Sequence, residues 1–540
     1  MSALKKRREG DSGTIRKKLE QGLRLQAQDR HAEAVSRFRK VLAAQPDDKA
    51  ALTGLARSLI ATGRSQEAVE MLDGVAAETE NNEQPLYELA QVCLAIQHYR
   101  LAEKLYERVL TITPDAPVAL VNLANLLDER GEAQRAADLL SRTLELDPNA
   151  ADAYASLGRI LANAAQFDDA MICYRRAIEL KPNSPTVYTN FAAMLESIGR
   201  HDEALKICEQ ALLLKPDCDA TRWNLARLLL ATGHIEAGWD MYGFGFACGQ
   251  RLPCRPFPGL IWEGEDLTGK TIMVWREQGI GDDVIFSTCY TDLIARAGHV
   301  IIETNPRLVS LYRRTWPEAT VRAETATSTG LENYGDVDFD FTAPAGMAAA
   351  LLRRNLDAFP AEPRFLVPDP ARVAECRAWL DTLGSGPVIG LSWSSAVKTS
   401  LRSRLYTDLN DWKELFAIEG ARIVNLQYTD VTEEAAALQR DFGMTLHRMP
   451  GLDLFNDIEG AAALSACMEA AVAPSSFPAT LAAGLGVPCF HYTAPRAWTK
   501  LGTDRLPWFP TMRCYALDQT TDRSALIERI AVDVAAFVRG

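Results

Sequence analysis

Residues 149–182 read NAADAYASLGRILANAAQFDDAMICYRRAIELKP, and this stretch of 34 residues is one unit of a repeat. Inside it Gly158, Ala170, Tyr174 and Pro182 are spaced by 12, 4 and 8 residues. Stepping outward by 34 from Ala170 lands on Ala34, Ala68, Ala102, Ala136 and Ala204, and then on Gly238. Four positions after each stand Phe38, Leu72, Tyr106, Leu140, Tyr174, Cys208 and Tyr242. Twelve before stand Gly22, Ala56, Ala90, Ala124, Gly158, Ala192 and Ala226, and twelve after the alanines stand Pro46, Pro114, Pro148, Pro182 and Pro216, with Glu80 the exception. Small side chains let paired helices approach, and the large residue four on shares a helix face with the small one and fills the groove beside it. Proline has no amide hydrogen and ends each unit. One hairpin cannot bury its apolar stripe alone, so the units are expected to stack over residues 15–248 into a superhelix with a concave face.

The whole chain has room for two to four domains at 540 residues, with an ordinary globular balance of 47% hydrophobic and 24% charged residues. A net charge of −13 argues against nonspecific binding to nucleic acid or an anionic membrane. The cysteines, 11 from Cys93 to Cys514, show no metal-ligand spacing and read as reduced thiols. Lys5, Lys6, Arg7 and Arg8 are followed by no apolar run, so residues 1–14 are expected to be a disordered basic start and the location cytoplasmic. No segment approaches the length of a membrane span.

After Gly249 the period stops. Pro253, Pro256, Pro258 and Gly259 mark a linker over residues 249–270. Short β-rich runs then alternate with helical segments, the pattern of parallel sheets with crossover helices. Expected strands are Thr271–Trp275, His299–Glu303, Pro387–Trp393, Arg422–Gln427, Ala470–Ala473 and Pro488–His491, with Val337–Phe341 a further candidate. The expected domains are a first, acceptor-side sheet over 271–375, a second, donor-side sheet over 376–520, and a C-terminal helix over 521–540.

Three loops carry chemistry. Glu277, Gln278, Gly279, Ile280, Gly281, Asp282 and Asp283 join a strand to a helix, where glycines permit a tight turn and free amides hold an anion. A dinucleotide fingerprint requires a small residue where Val284 stands. Asp282 is placed either to accept a hydroxyl proton or to cap the helix. In the second loop, Trp393, Ser394 and Ser395 end a strand and Lys398, Arg402 and Arg404 follow, a set suited to phosphate. As bare sequence, such a basic run also reads as a solvated face. In the third, Ser475, Ser476 and Thr480 surround a strand-to-helix turn with amides and hydroxyls aimed at an anion.

The stretch Trp262 to Lys270, continuing through Trp275 and Gln278 to Asp282, resembles bacterial glycosyltransferases that carry tetratricopeptide (TPR) repeats. The 34-residue pattern resembles the same repeats. The resemblance implies a GT-B arrangement, two Rossmann-like sheets facing a cleft, and metal-independent transfer from a nucleotide-sugar with no further cofactor. In related heptosyltransferases a Gly-Asp pair at this loop includes the proposed base. Gly281 and Asp282 match it, so the resemblance implies Asp282 as base with Asp283 as alternative, and Glu277, Gln278, Gly279 and Gly281 as the acceptor-side loop. It likewise implies donor contacts from Trp393, Ser394, Lys398, Arg404, Ser475, Ser476, Thr480 and Trp498. Related enzymes have an Asp-Thr/Ser turn and a following His after the strand; neither the Asp nor the His stands after Ala473. The block from Pro495 through Trp498 to Arg513 is similar to flagellin-modifying members, which implies flagellin as acceptor and a CMP-activated nonulosonic acid, such as pseudaminic acid, as donor. The segment Ser524 to Val538 reads as a helix that in GT-B enzymes crosses back to the first sheet. The alternatives left open are a TPR scaffold with an inactive glycosyltransferase-like domain, and an O-GlcNAc-transferase-like enzyme with a UDP donor.

Overall fold

The computed structural model describes residues 3–79, 82–255, 257, 260–324, 337–359, 361–362, 364–396, 405–518 and 521–540, with side chains from residue 14 onward, residue 78 excepted. The chain divides into two compact units, Met1–Asn183 and Ser184–Gly540. Among the described residues no helix is long and apolar enough to cross a membrane.

The repeat grammar becomes helical hairpins. Five lie in the first unit: Ala3–Gln26 with His31–Leu42, Lys49–Ala61 with Ser65–Glu78, Glu83–Ala95 with Tyr99–Ile112, Pro117–Glu129 with Ala133–Leu146, and Ala151–Asn163 with Phe167–Leu180. Two more, Pro185–Ser197 with His201–Leu214 and Asp219–Ala231 with Ile235–Met241, begin the second unit. The alanines of the ruler from Ala34 to Ala204 are wholly buried, as are Phe38, Leu72, Tyr106, Leu140 and Cys208. Small and large partners meet as expected: a Cβ on Gly22 would come within 2.7 Å of the Phe38 ring, and one on Gly158 within 3.3 Å of Tyr174. The prolines act through the residue before them. Thr113, Asp147, Lys181 and Lys215 end their helices with ψ of 85°, 93°, 71° and 87°, because a following proline ring disfavours the helical region. The first helix starts at Ala3, within the segment expected to be disordered; its Lys, Arg and Glu residues are good helix formers and its glycines are tolerated.

The second unit adds two five-stranded, all-parallel sheets. The first has the order β1 (Leu260–Ile261), β5 (Phe341–Pro344), β2 (Thr271–Trp275), β3 (His299–Thr304), β4 (Thr320–Ala323). The second has the order β10 (Met512–Ala516), β9 (Cys489–Thr493), β8 (Ala470–Pro474), β6 (Val388–Leu391), β7 (Arg422–Asn425). Both faces of β2, β3 and β5 to β9 are covered, which is why these strands read as continuous apolar runs. Alternation sends Ile272 and Val274 to the main core and Met273 and Trp275 to a small outer cluster with Phe246 and Phe257. In β6, Ile389 and Leu391 pack on the second sheet's outer face with the Arg523–Val538 helix.

Several expectations are corrected. The stretch read as a linker contains β1. The candidate strand Val337–Phe341 is displaced to Phe341–Pro344, because only there does the backbone pair with Ile272 to Trp275. The final helix does not cross back to the first sheet; Ile527, Ile530 and Val534 bury against the second. The last hairpin is bound into the core of the sheets, where Trp223, Trp239 and Tyr242 share one apolar cluster with Ile272, Val274 and Val424, and the hairpin before it is joined to them by a polar contact. Polar contacts reinforce this, Trp239 Nε1 donating to Arg353 O at 3.0 Å and His201 Nε2 lying 3.1 Å from Arg496 O.

Candidate functional site

β2 and β8 each run into an eight-residue helix at their C-terminal ends, Ile280–Ser287 in the first sheet and Phe477–Gly484 in the second. Ligands in parallel α/β sheets bind beyond the C-terminal ends of strands. Here the N-termini of the two helices meet across the sheets. A Cβ built on Gly281 would lie 3.7 Å from the backbone N of Phe477 and from Thr480 Oγ1, ordinary contact distance. Beside this junction opens a cavity of about 400 Å³. Its first wall carries Gly279, Gly281, Asp282 and Arg307; its second carries Ser395, Tyr428, Ser475, Ser476 and Thr480.

Both helix starts present amides that no residue of their own helix can satisfy, and the backbone dipoles add positive potential at the same ends. An anion placed there gains from both. Ser476 donates its hydroxyl to Pro474 O at 3.2 Å and Thr480 to Phe477 O at 3.0 Å, so each oxygen keeps acceptor capacity and a rotor that can turn to a ligand. Asp282 Oδ2 accepts the Gly279 amide at 3.0 Å, which ties the loop to the helix start in the manner of half a capping box. The loop itself is strained at Gln278, whose φ is +62°, and its amide donates to Leu252 O at 2.6 Å.

A second, adjoining cavity of about 550 Å³ lies beyond β7, lined by Asn425, Gln427, Thr429, Arg448 and Asp453 and sharing Tyr428 and Leu454 with the first. Gln427 organises the wall between them. Its Oε1 accepts from Ser392 Oγ at 2.9 Å and from the amides of Trp393 and Ser394 at 3.2 and 3.1 Å, binding the loop after β6 to the end of β7.

The structure brings Gly279, Gly281, Asp282, Ser475, Ser476 and Thr480 to one cavity and sets Ser394 next to it through Gln427. Five expected residues stand elsewhere, Gln278 among them: it does not line the cavity, and its amide is given to Leu252 O. Asp283 is fully buried, because one residue of helix rotates it about 100° from Asp282, into the core. Its carboxylate accepts from Thr304 at 2.5 Å, and burial pushes its pKa up to about 6. Glu277 is wholly buried, paired with the equally buried Arg251; burial raises its pKa against the opposing pull of that guanidinium. Gly346 makes room for it, since a Cβ there would meet Glu277 Oε1 at 2.0 Å. Arg251 in turn lies 4.0 Å from the ring centres of Tyr242 and Phe246, so Glu277 fastens the loop to the end of the helical array and does not face an acceptor. Trp393 is buried with its indole N–H on Glu434 at 3.0 Å. Trp498 packs edge-on to Trp239 at 6.2 Å and against Tyr242 at 5.8 Å, a bond between hairpin and sheet. Lys398 and Arg404 lie outside the described residues.

Sequence reasoning missed Arg307, Tyr428 and Phe455, all of which line the cavity. Tyr428 follows directly on an expected strand and Arg307 stands four residues after one, and the rule that ligands gather beyond strand ends was the signal available for them. Nothing in the local sequence marked Phe455.

The family models that match all fall in the first half of the chain. Tetratricopeptide repeat models match residues 25–92 and 199–238, 86–117, 121–185 and 173–206. The chain contains tetratricopeptide repeats. Protein FlbA of Caulobacter vibrioides is 34% identical over 321 residues, 57% of this chain and 54% of FlbA, so the chain spans about half the length of that curated relative. Among solved structures, a tetratricopeptide repeat protein from Parabacteroides merdae is 15% identical with a TM-score of 0.35, covering 44% of this chain and 94% of that one. YrrB, described as a TPR protein with an unusual peptide-binding site, is 20% identical with a TM-score of 0.25, covering 34% and 95%.

Proposed function

We propose that the chain is a protein O-glycosyltransferase with a GT-B arrangement, whose TPR hairpins recruit the acceptor and whose two sheets hold a nucleotide-sugar between them. The observation that carries this reading is the meeting of two helix N-termini, one from each sheet, at a cavity that also contains Asp282. In the proposed step the two helix starts and the hydroxyls of Ser475 and Ser476 hold the donor phosphate. The acceptor Ser or Thr oxygen attacks the anomeric carbon, its proton passes to Asp282, and the bond from that carbon to the phosphate oxygen breaks, leaving the nucleotide as an anion. The resemblance of the Trp498 to Arg513 block supports flagellin as acceptor and a CMP-nonulosonic acid as donor; in this reading flagellin is modified in the cytoplasm before export. A site with no acid or His after Ala473 suits one phosphate better than two.

A second reading, a scaffold with an inactive glycosyltransferase-like domain, is favoured by one observation: Asp282 already serves as a cap through Gly279. Two measurements separate the readings. A thermal-shift panel with CMP, UDP, GDP and ADP is expected to show stabilisation by CMP, since a ligand bound only to the native state raises its stability. Asp282→Asn keeps the cap acceptor but not the base, so transfer to flagellin is expected to fall by about two orders of magnitude with the melting temperature hardly moved. No stabilisation by any nucleotide, or unchanged turnover in the variant, returns Asp282 to its capping role.

A further inference from the structure

We infer that Arg307 recognises a second anionic group on the donor, a carboxylate carried by the sugar; this rests on the reading of the cavity as a nucleotide-sugar site. Among the described residues lining the cavity, Asp282 and Arg307 are the two that carry a full charge. The attraction for phosphate at the helix starts comes from backbone amides and hydroxyls, so Arg307 is a separate cationic point in the same space. It stands on the turn Pro306–Leu308 after β3, and β3 is the neighbour of β2, whose loop supplies Asp282. Adjacent strand ends therefore put the guanidinium and the proposed base on one wall, facing the hydroxyls of Ser475 and Ser476.

The side chain is held for a purpose that a solvated arginine would not need. Asn305 Oδ1 accepts Arg307 Nε at 3.2 Å, and Phe455 O accepts Nη1 at 2.6 Å. The guanidinium carbon sits 4.8 Å from the centre of the Phe455 ring. Among the described residues no carboxylate comes within ion-pair distance of the group and no hydrogen bond occupies Nη2. The hydrogen bond from Asn456, and to a smaller degree the nearby Arg307, hold the carboxyl of Asp453, on the segment of Phe455, below the usual range, so the cation is partly but not fully offset. A planar cation whose rotamers are already restricted offers charge-assisted bonds to a carboxylate with little further ordering cost. A neutral hexose presents nothing to such a group. A sugar with a carboxylate on its anomeric carbon presents one immediately beside the phosphate, so two anionic points in one cavity match one donor molecule.

The experiment is calorimetric binding to the full chain with six probes: the nucleotides CMP, UDP, GDP and ADP, a CMP-nonulosonic acid, and the methyl ester of that acid. The parent protein is expected to bind the acid about tenfold or more tighter than the ester, the range of one charge-assisted pair. Arg307→Gln should bind acid and ester alike and keep the parent's affinity for CMP, while Arg307→Lys recovers part of the preference. Equal binding of acid and ester by the parent overturns the inference and leaves the nucleotide site standing. So does Arg307→Gln weakening CMP as much as the sugar-nucleotide, which makes the residue a phosphate ligand or a latch on Phe455. Preferred binding of UDP or GDP over CMP, lost in the variant, assigns Arg307 to a second phosphate. Failure of the parent to bind any of the four nucleotides removes the site and the inference together.

Discussion

Asp282 and Asp283 are adjacent in sequence and opposite in environment. The first lines a cavity; the second lies against Thr304 and Tyr312 with no exposed surface. The pair Asp-Asp was legible as chemistry, but which carboxylate faces the cleft depended on helix phase, and phase follows from where the helix begins. Burial of Asp283 has a thermodynamic signature. Its folded-state pKa is raised to about 6 from an ordinary 3.8, so the folded state holds the proton more tightly than the unfolded chain. The sign follows: the contribution is most favourable below the unfolded value and is lost as pH rises through about 6. Asp283→Asn keeps an acceptor for Thr304 and has no proton to lose. It is expected to gain roughly 2 kcal/mol on the parent between pH 4.5 and 8, read by urea unfolding at both pH values. A difference that does not change with pH would show that Asp283 does not titrate in that window.

At the scale of the element, the hairpin turns reveal a second ruler. Asp29, Gly63, Gln97, Gly131, Ala165, Gly199 and Gly233 recur every 34 residues, and each has a positive φ, between 56° and 87°. Four are glycine, which adopts this conformation without penalty; Asp29, Gln97 and Ala165 pay for a Cβ there. The period was visible in the alanines and prolines, yet the turn position was hidden because three of its seven residues are not glycine. Ala165→Gly is expected to stabilise the protein by about 1 kcal/mol, the strain relieved less the added entropy of the unfolded chain. Equilibrium unfolding of the two proteins measures it, and a less stable variant would show that the turn is unstrained. Among the strands, long apolar runs such as Thr271–Trp275 were readable, whereas β1, β4 and β10 were not. β1 has two residues, both exposed, and β4 and β10 have mixed burial, so neither shows the pattern of a covered strand.

The whole molecule divides at Asn183 and Ser184, not where the repeat ends. Cutting at residue 250 would strip Trp223, Trp239 and Tyr242 from the core they share with the first sheet, and leave Trp498 without the rings it packs on. Each buried aromatic contributes roughly 1.5–3 kcal/mol, so the loss compares with the whole stability of a domain. Residues 184–540 are therefore expected to melt cooperatively and bind CMP, and residues 250–540 to lack a cooperative transition in circular dichroism. If the first five hairpins recruit the acceptor, the 184–540 fragment should also modify flagellin poorly beside the full chain. Full modification by the fragment, read as intact flagellin mass, would take recruitment away from those hairpins. The sequence by itself determined the hairpins, because each turn of the pattern is satisfied by contacts within a unit or with the next one. It determined the parallel-sheet class as well, because strands covered on both faces must be apolar throughout. The tertiary structure alone decided that two hairpins belong with the sheets, that Glu277 fastens a loop, and that Arg307 joins Asp282 in one cavity. Those contacts join residues far apart in the chain, and no local period or spacing records which distant side chain fills the other half of a core or a cleft.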